Sequence, residues 1–75
     1  MNQTQVEYRG FIITPMAAFD GGLYAAMSII CDADGLQRAS GILGHFASAD
    51  EARAFALMDA KDEIDRRAWH SSAAA

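Results

Sequence analysis

Three strand-length segments precede a single helical segment, and this count is the feature that most constrains the fold. The strand-like segments are rich in β-branched and aromatic residues and span residues 6–16, 23–31 and 37–46. Residues 20–22 (DGG) and 32–35 (DADG) separate them, and both sequences are typical of tight turns. The order predicts an α+β fold of β-β-β-α type, in which one helix packs on one face of a three-stranded antiparallel sheet.

The last segment carries the clearest local signal, which is the start of a helix. Ser48 is a good N-cap, and Glu51 three residues later completes a capping box. We expect the helix to run from residue 49 to about residue 69. One apolar arc comprises Ala52, Ala56, Leu57, Ala60, Ile64 and Ala68, and a second comprises Ala54, Phe55, Met58 and Trp69. This apolar surface is wider than a single contact with a sheet requires.

Both faces of the predicted sheet are apolar, although one helix can cover only one of them. If the second hairpin turns about residues 34–35, Tyr24 lies opposite His45. One face then holds Tyr24, Ala26, Ser28, Ile30, Gly41, Leu43 and His45, and the other holds Leu23, Ala25, Met27, Ile29, Ile42, Gly44 and Phe46. A sheet that meets water on one face normally alternates apolar and polar residues, and this one does not.

A protein partner is the interpretation we favour for this leftover apolar surface. A three-stranded sheet is marginal on its own, so we expect a homodimer or one protein partner to cover the second face. The alternative is that these residues are exposed singly, as in many monomers. The candidate partner-binding residues are Tyr24, Ile30, Leu43, His45 and Trp69.

Composition narrows the class of protein. The chain of 75 residues predicts one domain over 1–75, with residues 1–5 and 71–75 expected to be disordered. Hydrophobic residues make up 52% of the chain, which argues against an unfolded protein. The net charge is -4 and the basic residues are scattered among acids, so we expect no nucleic-acid binding.

Cysteine usage and hydropathy indicate the compartment. Cys31 is the only cysteine, so the intrachain disulfide that small secreted domains usually need is excluded. Residues 1–10 lack the basic and apolar regions of a signal peptide. No apolar run approaches the roughly 20 residues that span a bilayer. We therefore expect a soluble cytoplasmic protein without membrane association.

Residues 31–35 (CDADG) raise the question of a metal or redox site. A structural zinc site needs four ligands and a calcium loop ends in a bidentate glutamate, and neither pattern follows here. The predicted hairpin places Cys31 opposite Arg38 and roughly 20 Å from His45, too far for a nucleophile and its base. We predict a turn at this segment and a protein that is not an enzyme, with no catalytic residue, metal or cofactor.

Several positions resemble a known family. The residues that carry the resemblance to the N-terminal domain of HicB-type antitoxins are Gly22, Tyr24, Gly44, Ser48, Glu51 and Ala52, over roughly residues 8–66. The resemblance implies a β-β-β-α fold and an antitoxin that inhibits a partner protein. That family also has a C-terminal DNA-binding segment, which the residues after the helix do not resemble. Residues 8–15 (YRGFIITP) resemble small uncharacterised proteobacterial β-β-β-α proteins, which implies no activity.

Three hypotheses about function follow from these patterns. The leading one is a small noncatalytic interaction module that self-associates, because both sheet faces are apolar and no catalytic constellation is present. The second is a HicB-like antitoxin or regulatory inhibitor of a partner protein. The third is a small-ligand or enzymatic site in a dimer cleft, formed by Tyr24, His45 and their neighbours.

Overall fold

The fold is α+β, with an antiparallel sheet and one C-terminal helix, as the sequence predicts. The computed structural model describes the backbone of residues 5–74 and the side chains of residues 5–66. Within these ranges the elements are β1 (Val6–Tyr8), β2 (Phe11–Asp20), β3 (Leu23–Cys31), β4 (Gln37–Ala39), β5 (Gly44–Phe46) and α1 (Ala49–Ala74). The sheet has five strands instead of three because the first and third predicted strands are each interrupted.

The first interruption is a hairpin turn at Arg9 and Gly10. Both residues have positive φ, 53° and 84°, and Tyr8 pairs with Phe11 across the turn. A residue other than glycine costs about 1 kcal/mol in this conformation. Part of that cost is offset at Asp65 on α1, where Arg9 Nε lies 3.0 Å from Oδ1 and the Tyr8 hydroxyl donates at 2.9 Å. The sequence analysis missed this turn because an arginine stands where such turns usually have Asn or Asp.

The long hairpin of β2 and β3 forms the centre of the sheet. Gly21 and Gly22, with φ of 61° and 93°, make its two-residue turn, and Asp20 pairs with Leu23. β3 has the predicted bounds. β1 pairs with β2 only over residues 11–13, so the rest of β2 is an open edge. Pro15 lies on that edge, where its missing N–H removes no ladder hydrogen bond.

The second interruption is a bulge at residues 40–43, which divides the predicted third strand into β4 and β5. Gly41 has a φ of 76°, and the Leu43 N–H donates to the Ala26 carbonyl at 2.8 Å. Four residues here oppose two on β3, because β4 pairs with residues 29–31 and β5 pairs with residues 24–26.

The predicted pairing is wrong because the connection between β3 and β4 is one residue shorter than predicted, which shifts the register by one residue. Cys31 pairs with Gln37 and not with Arg38, and Tyr24 pairs with Phe46 and not with His45. A slip of one residue moves every side chain of a strand to the other face. Gly44 and Phe46 therefore share a face with Tyr24, while His45 lies on the opposite face.

The helix begins as the capping signal predicts, because the Glu51 N–H donates to Ser48 Oγ at 3.1 Å. The i, i+4 row of Ala52, Ala56, Ala60 and Ile64 is at most 1% exposed. It packs on two core clusters whose sheet members include Ile13, Ala17, Tyr24, Ala26, Ile30 and Phe46. The small alanine side chains of the helix row and of the sheet allow the helix to lie close to β2 and β3.

The C-terminal end of the helix differs from the prediction. α1 extends to Ala74, beyond the expected end near residue 69. Residues 71–74 are serine and alanine, and alanine is the most favourable helix residue. This segment contains no Gly or Pro that would end the helix. The expectations for residues 1–4, for residue 75 and for the Trp69 side chain lie outside the described part of the structure.

Candidate interaction surface

The face of the sheet turned away from α1 carries mostly apolar side chains along both β2 and β3. We call it the open face. Side chains alternate along each strand, and cross-strand partners share a face, so the pairing of β2 with β3 defines its members. These are Ile12, Thr14, Met16, Ala18, Leu23, Ala25, Met27, Ile29 and Cys31.

The side chains of the open face form a continuous layer. Ile12 and Leu23, near its two ends, are 43% and 44% exposed. Met16 and Met27, which pair at its centre, are half-buried against their neighbours. Ala25 beside them is only 3% exposed, although the helix lies on the other side of the sheet. The face is therefore a continuous apolar layer and not a set of isolated residues.

The charged groups of this side of the sheet lie at its ends. Asp20 Oδ2 lies 3.3 Å from His45 Nε2 beside the β2–β3 turn. Glu7 on β1 is next to Ile12, at the other end of the sheet. The Asp20–His45 pair is too exposed to contribute much stability, since such surface pairs are worth about 0–1 kcal/mol. The pair instead forms part of a polar rim at the ends of the open face, whose centre is uncharged.

The size of the open face reaches the range of specific protein interfaces. β2 has 10 residues and is therefore about 33 Å long, at roughly 3.3 Å per residue. With neighbouring strands about 4.8 Å apart, the short outer strands included, the face covers about 500 Å². Two such faces in contact bury about 1,000 Å², which is about the minimum expected of a biological interface.

The five predicted partner-binding residues do not lie on one surface. Tyr24, Ile30 and Leu43 are half-buried on the helix-covered face, in contact with the core clusters. His45 is exposed on the open side of the sheet. The Trp69 side chain lies outside the described residues. The residues that the analysis missed are Ile12, Met16 and Met27, whose signal was the period-2 apolar pattern of β2 and β3.

The residues considered for catalysis do not come together. Tyr24 and His45 lie on opposite faces of the sheet within one chain, so the dimer cleft of the third hypothesis would need to take them from different copies. Cys31 lies six positions along β3 from the partner of His45, or about 20 Å. Asp32 Oδ1 accepts hydrogen bonds from two backbone N–H groups of the turn, at 2.9 and 3.0 Å. Residues 32–35 thus form the predicted turn.

The described part of the chain shows neither a metal-binding cluster nor a membrane-spanning helix, and no related protein was found. Within residues 5–66 no cluster of three or more His, Cys, Asp or Glu side chains has the geometry to bind a metal ion. No helix in the described part of the chain is long and apolar enough to cross a membrane. Comparison with protein-family models, curated proteins and solved structures found nothing that matches this chain. The resemblance to HicB-type antitoxins stays a prediction from the residues that carry it.

Proposed function

We propose that the protein is a small noncatalytic interaction module of the cytoplasm that forms a homodimer through its open face. The observation that carries this proposal is the apolar layer of Ile12, Met16, Leu23, Met27 and Ile29 on the side without a helix. Stacking of two sheets about 10 Å apart would remove this layer from water. Burial of apolar area contributes roughly 25 cal/mol per Å², which is the driving force for the association.

The shape of the open face supports a second copy as the partner. A two-fold dimer requires one patch that is complementary to itself. The large Met16–Met27 pair lies beside the small Ala18–Ala25 pair, so the face has a ridge next to a depression. Rotation about a two-fold axis between the pairs places the methionines of one copy over the alanines of the other. Methionine is flexible enough to fill such a depression.

Pairing through the sheet edges is less favourable than stacking of the faces. β1 and β4 have three residues each, and the bulge at residues 40–43 separates β4 from β5. The open edge of β2 contains Pro15, which lacks the N–H that a further strand would need. Both outer edges of the sheet are therefore poor templates for another strand.

Sedimentation equilibrium at micromolar concentration tests the proposal with one substitution and a matched control. We expect the wild-type chain to be a dimer. Met27→Lys places one buried charge from each copy in the interface. The protein should then be monomeric, with the helical circular dichroism signal unchanged. Met58→Lys introduces the same charge on α1, where Met58 is 65% exposed, and should remain dimeric.

Two results would contradict this proposal. A monomeric wild-type chain would mean that the open face does not self-associate. A dimer that Met58→Lys dissociates and Met27→Lys does not would place the interface on the exposed helix arc. If Met27→Lys unfolds the chain, Ile29→Lys at the same face provides the second test.

A further inference from the structure

A groove runs between α1 and the β4 side of the sheet, on the face opposite the proposed dimer contact. It consists of two adjacent cavities of about 260 and 190 Å³, which share Ile30 and Arg38. The groove exists because the row of small residues on α1 packs over β2 and β3, whereas all three residues of β4 are exposed. Its existence does not depend on self-association.

Ser28 is the first sign that the groove is built to hold a ligand. It is 1% exposed, and its Oγ has no hydrogen-bond partner among the described residues. The neighbouring Ser40 hydroxyl is already engaged, since it accepts from the Ser28 N–H at 2.9 Å and donates to the Gly41 carbonyl at 2.7 Å. A buried hydroxyl without a partner destabilises a fold. Ser28 lines the smaller cavity, where a ligand atom would supply the missing bond.

The charges of the smaller cavity lie on its two walls. Arg38 is on the strand wall, opposite Ile30 in the register, and has no ion pair within the described part of the chain. Asp59 and Glu63 are on the helix wall, one turn apart. Asp59 makes no bond with another described side chain, and Glu63 is engaged with Arg66 at 3.5 Å. A positive wall thus faces a negative one across a gap.

The larger cavity has a mixed lining, whose polar members are Asp32, Gln37 and Arg38. Phe11, Ile30, Leu36 and Ile64 contribute to its lining. Phe11 and Ile30 also pack against the buried core cluster that contains Ile64, which fixes this wall of the cavity. A branched apolar group of a ligand can be buried here, away from water, without displacing a side chain of the protein.

We propose that this groove binds a free α-amino acid with a branched apolar side chain. The carboxylate of the ligand binds the Arg38 guanidinium, which suits a planar anion. Its ammonium group binds the Asp59 carboxylate, and one of its polar atoms completes the hydrogen bonding of Ser28 Oγ. Its side chain occupies the cavity beside Phe11 and Ile64. A zwitterion matches the two walls, whereas an ion of one sign leaves one wall without a partner.

An NMR titration of the 75-residue chain with L-leucine tests the proposal. We expect saturable shifts of the Ser28, Arg38 and Asp59 amide signals. Glycine lacks the side chain, 4-methylpentanoate lacks the amine and 3-methylbutylamine lacks the carboxylate, and each should bind at least about tenfold more weakly than leucine. Absence of saturable shifts, or equal binding of leucine and these three probes, overturns the proposal.

Variants separate a ligand role from a structural one. Arg38→Gln and Asp59→Asn should each weaken leucine binding at least about tenfold. The control pair is Arg53→Gln and Asp50→Asn, which removes a 3.0 Å ion pair on the exposed side of α1 and should leave binding unchanged. Ser28→Ala should weaken binding without lowering the thermal stability of the free protein. Wild-type affinity in Ser28→Ala or Arg38→Gln overturns the assignment.

Discussion

At the scale of single residues, one carboxylate organises the connection between β3 and β4. Asp32 Oδ1 accepts the N–H groups of Asp34 and Leu36, and the Asp32 carbonyl accepts the Gly35 N–H at 3.0 Å. Gly35 has a φ of 88°, where a side chain would be strained. The acidic residue that suggested a metal ligand therefore satisfies the backbone of a turn.

Substitution of Asp32 tests this role. Asp32→Ala removes both hydrogen bonds and should lower the free energy of unfolding by about 1 kcal/mol, or Tm by about 4–8 °C. Asp32→Asn keeps an acceptor oxygen and should lose less than half as much. Asp34→Ala is the control, because its exposed carboxylate binds no described residue, and it should change stability by less than about 0.5 kcal/mol. Equal losses at the two positions would contradict this account of the turn.

At the scale of elements, a row of alanines determines how the helix meets the sheet. Ala52 and Ala56 are fully buried against Ala26, so three small side chains form the centre of this contact. Phe46 and Phe55 stack at its border with ring centroids 5.1 Å apart. The large residues thus surround a close contact that leaves no room for a longer side chain.

A larger side chain in the alanine row should be poorly tolerated. Ala56→Leu forces the helix away from Ala26 and should cost about 1–3 kcal/mol in the free energy of unfolding. Ala54→Leu is the matched control at an exposed position of the same helix, where it should cost less than about 0.5 kcal/mol. Thermal unfolding followed by circular dichroism measures both. A stable Ala56→Leu variant would mean that the helix–sheet contact is looser than the structure indicates.

At the scale of the whole molecule, one helix covers a sheet that is apolar on both faces. The covered face provides the two core clusters around Ile13, Ala26 and Ile64, whereas Ala25 and Thr14 on the open face are buried outside these clusters. A domain of 75 residues has little core to stabilise it, so the second layer that the proposed dimer places on the open face would add a large fraction of its stability.

The proposed dimer would couple folding to association and so make stability depend on protein concentration. We expect the Tm of the wild-type chain to rise by a few degrees for each tenfold increase in protein concentration, since only the folded chain forms the dimer. The Tm of Met27→Lys should not change with concentration. Differential scanning calorimetry over a hundredfold range measures both, and a wild-type Tm independent of concentration would argue against a dimer that contributes to stability.

The sequence by itself determined the elements whose signals are local. The N-cap at Ser48, the turns at residues 20–22 and 32–35, the bounds of β3 and the alanine row of α1 follow from hydrogen bonding and periodicity within a few residues. These local signals were sufficient to predict the α+β fold. They also showed that both sheet faces are apolar, which is the basis of the proposed function.

The tertiary structure decided which residues each face contains. The connection between β3 and β4 places Gln37 and not Arg38 opposite Cys31. This one-residue shift puts Phe46 on the helix side and His45 on the open side, because the two extra residues of the bulge keep the alternation unchanged. The groove with Ser28 and Arg38 arises from strands and a helix distant in sequence. Alternation has a period of two, so a local pattern fits either register equally well, and only packing against α1 selects between them.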